Sequence, residues 1–123
     1  MFESQNYKYP KYTFTGSKFI SLGCWKDTID RAMPSIEHSH PILGRSYKSR
    51  KNAIHKCYEL ALSLGYTVFA IQDGGQCFSS SKAKDTYRKH GSSSECLEGG
   101  KGGPLANQVY EIKSGIYYCD VSI

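Results

Sequence analysis

Hydrophobic positions in this chain fall into short runs separated by polar stretches rich in Gly, Ser and Pro. The clearest pattern is helical: Ala53, Cys57, Leu60, Ala61 and Leu64 recur at three- and four-residue steps and draw one apolar stripe over residues 50–64. Ser49 is placed to cap the start of this helix, and Gly65 to close its end in a left-handed conformation. Residues 66–72 follow, apolar on both faces, as expected of a central strand covered by that helix. The Gly-Gly turn at 73–76 then reverses the chain into a hairpin strand at Cys77 and Phe78.

Weaker patterns complete the picture. Residues 7–14 alternate aromatic and polar side chains around Pro10, as an edge strand does, and residues 19–25 read as a second strand running into a polar loop at 26–31. Residues 34–47 carry Pro, Gly, His and Ser without a period and read as an irregular loop. Ser79, Ser80 or Ser81 can cap a second short helix through Ala83, Tyr87 and Arg88 that stops at Gly91. A glycine-rich loop spans 92–104, and strands are expected at 107–112 and 116–119. The outcome is one small α+β domain over residues 1–123, with an antiparallel sheet packed on one principal helix.

Composition narrows the class. The chain has 123 residues with ten Tyr, five Phe and one Trp, too rich an aromatic supply for a disordered chain, and no apolar run approaches the roughly 18 to 20 residues that span a bilayer. Membrane insertion is not expected. Sixteen Lys and Arg against eleven Asp and Glu give a net charge of +5. The basic residues are dispersed, below the density of a dedicated nucleic-acid binder. Their densest cluster is Arg45, Lys48, Arg50, Lys51 and Lys56, which reads either as a solvated helix face or as a contact for sulfated sugar, phosphate or an acidic protein.

Five cysteines, Cys24, Cys57, Cys77, Cys96 and Cys119, point to a secreted, disulfide-containing protein, and none has the two-residue spacing of a zinc or dithiol motif. The odd count leaves one thiol free or bonded to another chain. MFESQNYKYP shows no basic start or apolar run, so an exported protein is expected to be this mature form with Met1 added. Asn6, Asn52 and Asn107 lack a Ser or Thr two positions on, so N-glycosylation is not expected.

Catalytic groupings are poorly supported. His38, His40, His55 and His90 provide bases, but no spacing ties one to a thiol, and no two of Asp27, Asp30, Asp73, Glu95 and Glu98 are held at a glycosidase separation. The loop 98–104 matches no phosphate-binding spacing, and His38 and His40 lack a third metal ligand nearby in sequence. A sugar site is the better reading, because a ring stacks on a pyranose face while amides and carboxylates fix hydroxyl geometry. Such groups stand at loop ends: Trp25 with Lys26, Asp27 and Arg31; Gln72 with Asp73 and Gln76; Asn107 with Gln108 and Tyr110. Each has a purely structural alternative: Trp25 as core, Asp73 as a turn residue, Asn107 as a backbone cap. Asp73, Glu98 and Asn107 are hard oxygen ligands and form a candidate Ca2+ set.

The order Gly23-Cys24-Trp25-Lys26-Asp27, Arg31-Ala32, a helix bearing Cys57, Gly65-Tyr66 and Gln72-Asp73-Gly74-Gly75-Gln76-Cys77 resembles the skeleton of WSC domains over about residues 22–112. The segment 100–110 is also similar to lectin-like proteins of cnidarians and other marine invertebrates. The chain has fewer cysteines than WSC domains usually carry, and Cys77 is followed by Phe78 rather than by the first step of a Cys-x-Cys. The resemblance implies a PAN/apple-like fold, with a curved antiparallel sheet cradling the helix, flanked by strands within 1–21 and 113–123. It implies a secreted, non-catalytic lectin for cell-surface or secreted glycans, of galactose type by the marine-lectin likeness, with Gln72, Asp73, Gln76, Asn107, Trp25 and Tyr110 at the site. By analogy with PAN-like domains it pairs Cys57 with Cys77 and Cys24 with Cys96, although four cysteines permit other connectivities. Cys119 is then left to join two protomers in a homodimer, or to remain free in a monomer. The rival reading is a protein-recognition or defence module that binds acidic partners or sulfated glycans through the basic cluster.

Overall fold

The computed structural model describes residues 19–44 and 46–113 in full, and the backbone of 12–14 and 117–119. Four antiparallel strands form the main sheet in the order β2-β5-β3-β4: β2 (Phe19–Lys26), β3 (Val68–Gln72), β4 (Gln76–Ser79) and β5 (Ala106–Ile112). Two three-residue strands, β1 (Tyr12–Phe14) and β6 (Tyr117–Cys119), pair separately. The main sheet therefore begins at Phe19, three residues before the matched region at 22, and residues 19–21 belong to it rather than to a flanking strand. The expected strand residues 7–11 lie outside the described part, as does Arg45. The side chain of Cys119 also lies outside it.

β3 sits inside the sheet, and each of its residues is buried. Its alternation splits the core in two. Phe69 and Ile71 pack toward α1 (Ala53–Ser63) with Cys57, Tyr58, Leu60, Ala61, Tyr110 and Ile112, while Val68 and Ala70 pack on the other face with Met33, Phe78, Ala83 and Val109. The apolar run Val68–Ile71 is what a sheet covered on both sides requires.

The helix starts later than its periodicity suggests. Residues 47–49 form a 3₁₀ turn capped by the Ser46 hydroxyl, so Ser49 lies inside that turn and does not cap α1. Asn52 precedes α1 in the left-handed region (φ 54°) without a side-chain cap bond. The other end follows expectation: Gly65 (φ 81°) donates to Leu62 O and Tyr66 N to Ala61 O, a Schellman closure. Leu64, counted in the apolar stripe, is 44% exposed beyond the last turn.

The second helix, α2, is a single turn (Ala83–Thr86); Ser79 belongs to β4 and donates its hydroxyl to Val68 O, while the Ser80 hydroxyl accepts from Lys82 N. Disulfides join Cys24 to Cys96 and Cys57 to Cys77, the pairing that the resemblance implies. The first ties the glycine-rich loop to β2, and the second ties α1 to β4. Two disulfides suit an oxidising compartment, and among the described residues no helix is long and apolar enough to cross a membrane.

Candidate functional site

Strand register places four of the expected site residues in one row across the sheet: Trp25 opposite Asn107, Asn107 opposite Gln72, and Gln72 opposite Gln76. The row is largely internal. Asn107 is 0% and Gln72 3% exposed, so neither amide meets solvent, and their reading as ligand contacts is corrected. Trp25 is half-buried: it donates its Nε1–H to Leu22 O at 2.9 Å, stands edge-on to Tyr87 and packs against the core around Val68 and Phe78. Tyr110 is buried as well; its hydroxyl donates to Gly100 O at 2.6 Å, and burial pushes its pKa up. Gln76 is half-buried and Asp73 exposed. Asp73 (φ 51°) and Gly74 (φ 92°) shape the hairpin turn, and Asp73 Oδ2 accepts from Tyr47 OH at 3.2 Å.

What holds Gln72 and Asn107 inside is the carboxylate of Asp27, itself 2% exposed. Burial raises the pKa of Asp27, but bonds from Ala32 N–H, Arg31, Gln72 and Thr28 N–H outweigh it and hold the carboxyl below its usual range. An ionised carboxylate only accepts, so Gln72 must present Nε2 to it, at 2.9 Å, and turn Oε1 toward Arg31. Nε2 also donates to Asn107 Oδ1 at 2.8 Å, and Asn107 Nδ2 is buried with no hydrogen-bond partner among the described residues. Arg31 lies over the cluster with its guanidinium 5.3 Å from the centre of the Phe78 ring. This network locks two strand ends, those of β3 at Gln72 and β5 at Asn107, to the loop after β2.

An open cleft of about 400 Å³ lies on the other side of the sheet, between the start of α1, the first residue of β2 and the glycine-rich loop. Phe19, Ala53 and Ile54 supply its apolar surface; Asn52, His55, Gly99 and Lys101 supply polar surface. Phe19 is fixed by ring contacts to Tyr58, Phe69 and Tyr110 at 5.1 to 5.6 Å. The first backbone bond of α1 runs from Lys56 N to Asn52 O, so the N–H groups of Ala53, Ile54 and His55 lie ahead of the helical ladder. Lys101 is exposed and makes no ion pair among the described residues, while its carbonyl accepts from Gly74 N at 2.9 Å. His55 Nε2 lies 3.2 Å from Glu59 Oε2. None of these cleft residues stands out in the sequence as a site; the signals that foreshadow the cleft are a glycine-rich loop and an Asn before a helix.

Other candidate groups separate. Arg50 leaves the expected basic surface: it is buried in an ion pair with Glu37 and donates to the carbonyls of Leu43 and Gly75, whereas Lys48 and Lys51 remain exposed. Asp73, Glu98 and Asn107 do not form one cation site, because Asn107 is internal with Oδ1 engaged while Asp73 and Glu98 are exposed. Among the described residues no three His, Cys, Asp or Glu side chains are grouped to hold a metal. His38 and His40 line a separate cleft of about 300 Å³ with Glu37, and His40 Nδ1 accepts from Ile42 N.

Neither a protein-family model nor a solved structure matches the chain. Over 100 residues it is 35% identical to Xylosyltransferase oxt of Drosophila melanogaster, a match that takes in 75% of this chain and 10% of that protein. The chain thus corresponds to about a tenth of the length of this enzyme.

Proposed function

We propose that this chain is a non-catalytic carbohydrate-binding domain of the WSC-like, PAN/apple-related kind that acts outside the cell, with its sugar site in the cleft between Phe19, Asn52–His55 and Gly99–Lys101. The cleft carries the reading. A partly exposed aromatic ring beside an unbonded amide, an imidazole and an amine matches what a pyranose needs, one apolar face and several directed polar groups. The likeness to a tenth of a xylosyltransferase supports a module associated with sugar chemistry. Cys24, Cys57, Cys77 and Cys96 are all in disulfides, which removes them as thiol nucleophiles.

A glycan array on the oxidised protein, run with calcium and with chelator, tests the reading together with backbone amide shifts of the bound form. Glycan binding with shifts concentrated at 52–55 and 99–101 is expected. Absence of any glycan binding overturns it, and binding to acidic proteins alone replaces it with a protein-recognition role. Loss of binding on chelation adds calcium to the site.

A further inference from the structure

Resting on that carbohydrate reading, we infer that the cleft selects an acidic sugar, one carrying a carboxylate or a sulfate group. Among the polar groups that line it, the Lys101 amine is a cation and the Asn52 amide offers donors. Lys101 makes no ion pair among the described residues and lines the cleft together with Asn52 and His55. The Asn52 side chain does not cap α1, so its amide and the leading N–H groups of the helix remain as donors on the same wall. The surroundings reinforce the sign: the glycine-rich loop bonds to the hairpin tip through Gly74, and the hairpin tip packs at Gly75 against Tyr47 O and Ala53, which brings exposed Lys48 and Lys51 to adjoining backbone. Two of the three acidic groups nearby are engaged. Glu59 is paired with His55 one helical turn on, Asp73 accepts from Tyr47, and Glu98 precedes the lining residue Gly99 as an exposed side chain. A neutral sugar can accept hydrogen bonds from the Lys101 amine but leaves its charge uncompensated, whereas an anionic group beside the Phe19 ring engages that charge and the amide together.

The test compares three probes on the full oxidised chain by titration calorimetry: a sulfated heparin tetrasaccharide, its desulfated counterpart that keeps the carboxylates, and a neutral xylo-oligosaccharide. At least one acidic probe is expected to bind about tenfold tighter than the neutral one at low salt and to lose that margin as salt rises. Lys101→Ala is expected to remove the margin, Lys101→Arg to restore most of it, and Lys82→Ala to leave it intact. The Tm of Lys101→Ala should stay unchanged, because its structural bond is made by the backbone carbonyl. The sulfated and desulfated arms tell a sulfate from a carboxylate. Equal binding of all three probes, or a margin that survives Lys101→Ala, overturns the acidic-sugar inference and leaves the carbohydrate reading standing. Binding of none overturns the acidic-sugar inference, and the glycan array then decides the carbohydrate reading.

Discussion

Arg50 and Glu37 meet in a two-point ion pair, with NH1 to Oε2 at 2.8 Å and NH2 to Oε1 at 2.7 Å, and their side chains are only 1% and 9% exposed. The pair is a hub. Glu37 Oε2 also accepts from Cys77 N, and Arg50 reaches the carbonyls of Leu43 and Gly75. The irregular segment before α1 is thereby fastened to the hairpin that carries one end of a disulfide. Residues without regular backbone bonding are held here by one charged side chain that satisfies several orphan carbonyls.

Removing either partner should therefore cost far more than a surface ion pair. Arg50→Ala leaves a buried carboxylate and two unpaired carbonyls, and a loss of about 3 to 5 kcal/mol is expected from urea unfolding with the disulfides intact. Lys51→Ala, one residue on and exposed, should change stability by less than about 0.5 kcal/mol. Comparable small losses for both variants would refute the hub.

Acid should weaken the fold through the same carboxylates. Burial raises the pKa of Glu37, but the Arg50 bonds and charge and the Cys77 N–H outweigh it; in Asp27 the hydrogen bonds likewise win over burial. Both groups have lower pKa values folded than unfolded, so the unfolded chain binds more protons in acid. Their stabilisation is complete above the ordinary values of 3.8 and 4.5, and is lost as pH falls through the depressed folded values. In a Tm series from about pH 7 to pH 3, the gap between wild type and Asp27→Asn should narrow at the acid end. A gap that is constant with pH would show that Asp27 contributes only through its shape.

The parts of this fold legible in the sequence are those encoded within a few residues. The stripe of α1, the Gly65 stop and the two-sided apolar β3 are local patterns, and each is found close to where its period places it. The amides at strand ends mislead for the opposite reason. Gln72 and Asn107 look available because the groups that consume them lie far along the chain: Asp27 is 45 residues from Gln72, and Asn107 is 35. Arg50 reads as part of a basic surface until Glu37, set in a loop with no period, is brought against it. The cleft escapes notice because Phe19, Asn52 and Lys101 come from three elements, and Phe19 looks like any core aromatic.

Close backbone approach makes the glycine-rich loop intolerant of side chains. A Cβ on Gly102 would strike Ile71 O and stand 2.6 Å from Ala106 O, at a φ of 74° that L-residues rarely adopt. Gly102→Ala should cost at least about 2 kcal/mol by thermal unfolding, since strain and backbone displacement add. Gly99→Ala, with no contact closer than Lys101 Cε at 4.0 Å, carries only the penalty of its φ of 101° and should cost less. The reverse order would mean that the loop does not pack against β3 and β5 as described.

The two disulfides should differ in what they contribute. Cys24–Cys96 spans 72 residues and Cys57–Cys77 spans 20, so on chain entropy the first constrains the unfolded state more, about 4.5 against about 3 kcal/mol. Their places in the fold act in the other direction. Cys57 and Cys77 are fully buried in the core between α1 and the sheet, so replacing them also disturbs packing, whereas Cys24 and Cys96 are half-buried. Replacing Cys57 and Cys77 together by Ala should therefore lower stability by at least as much as the same change at Cys24 and Cys96. The Cys24–Cys96 pair has a more specific role, because its bond anchors the loop that supplies Gly99 and Lys101 to the cleft. A Cys24→Ala/Cys96→Ala variant is expected to remain folded below its lowered Tm and to bind sugar more weakly, with faster amide exchange confined to the loop. If its binding matched wild type, the loop would be held sufficiently by its backbone bonds to Gly74 and Asp73, and the disulfide would serve global stability alone.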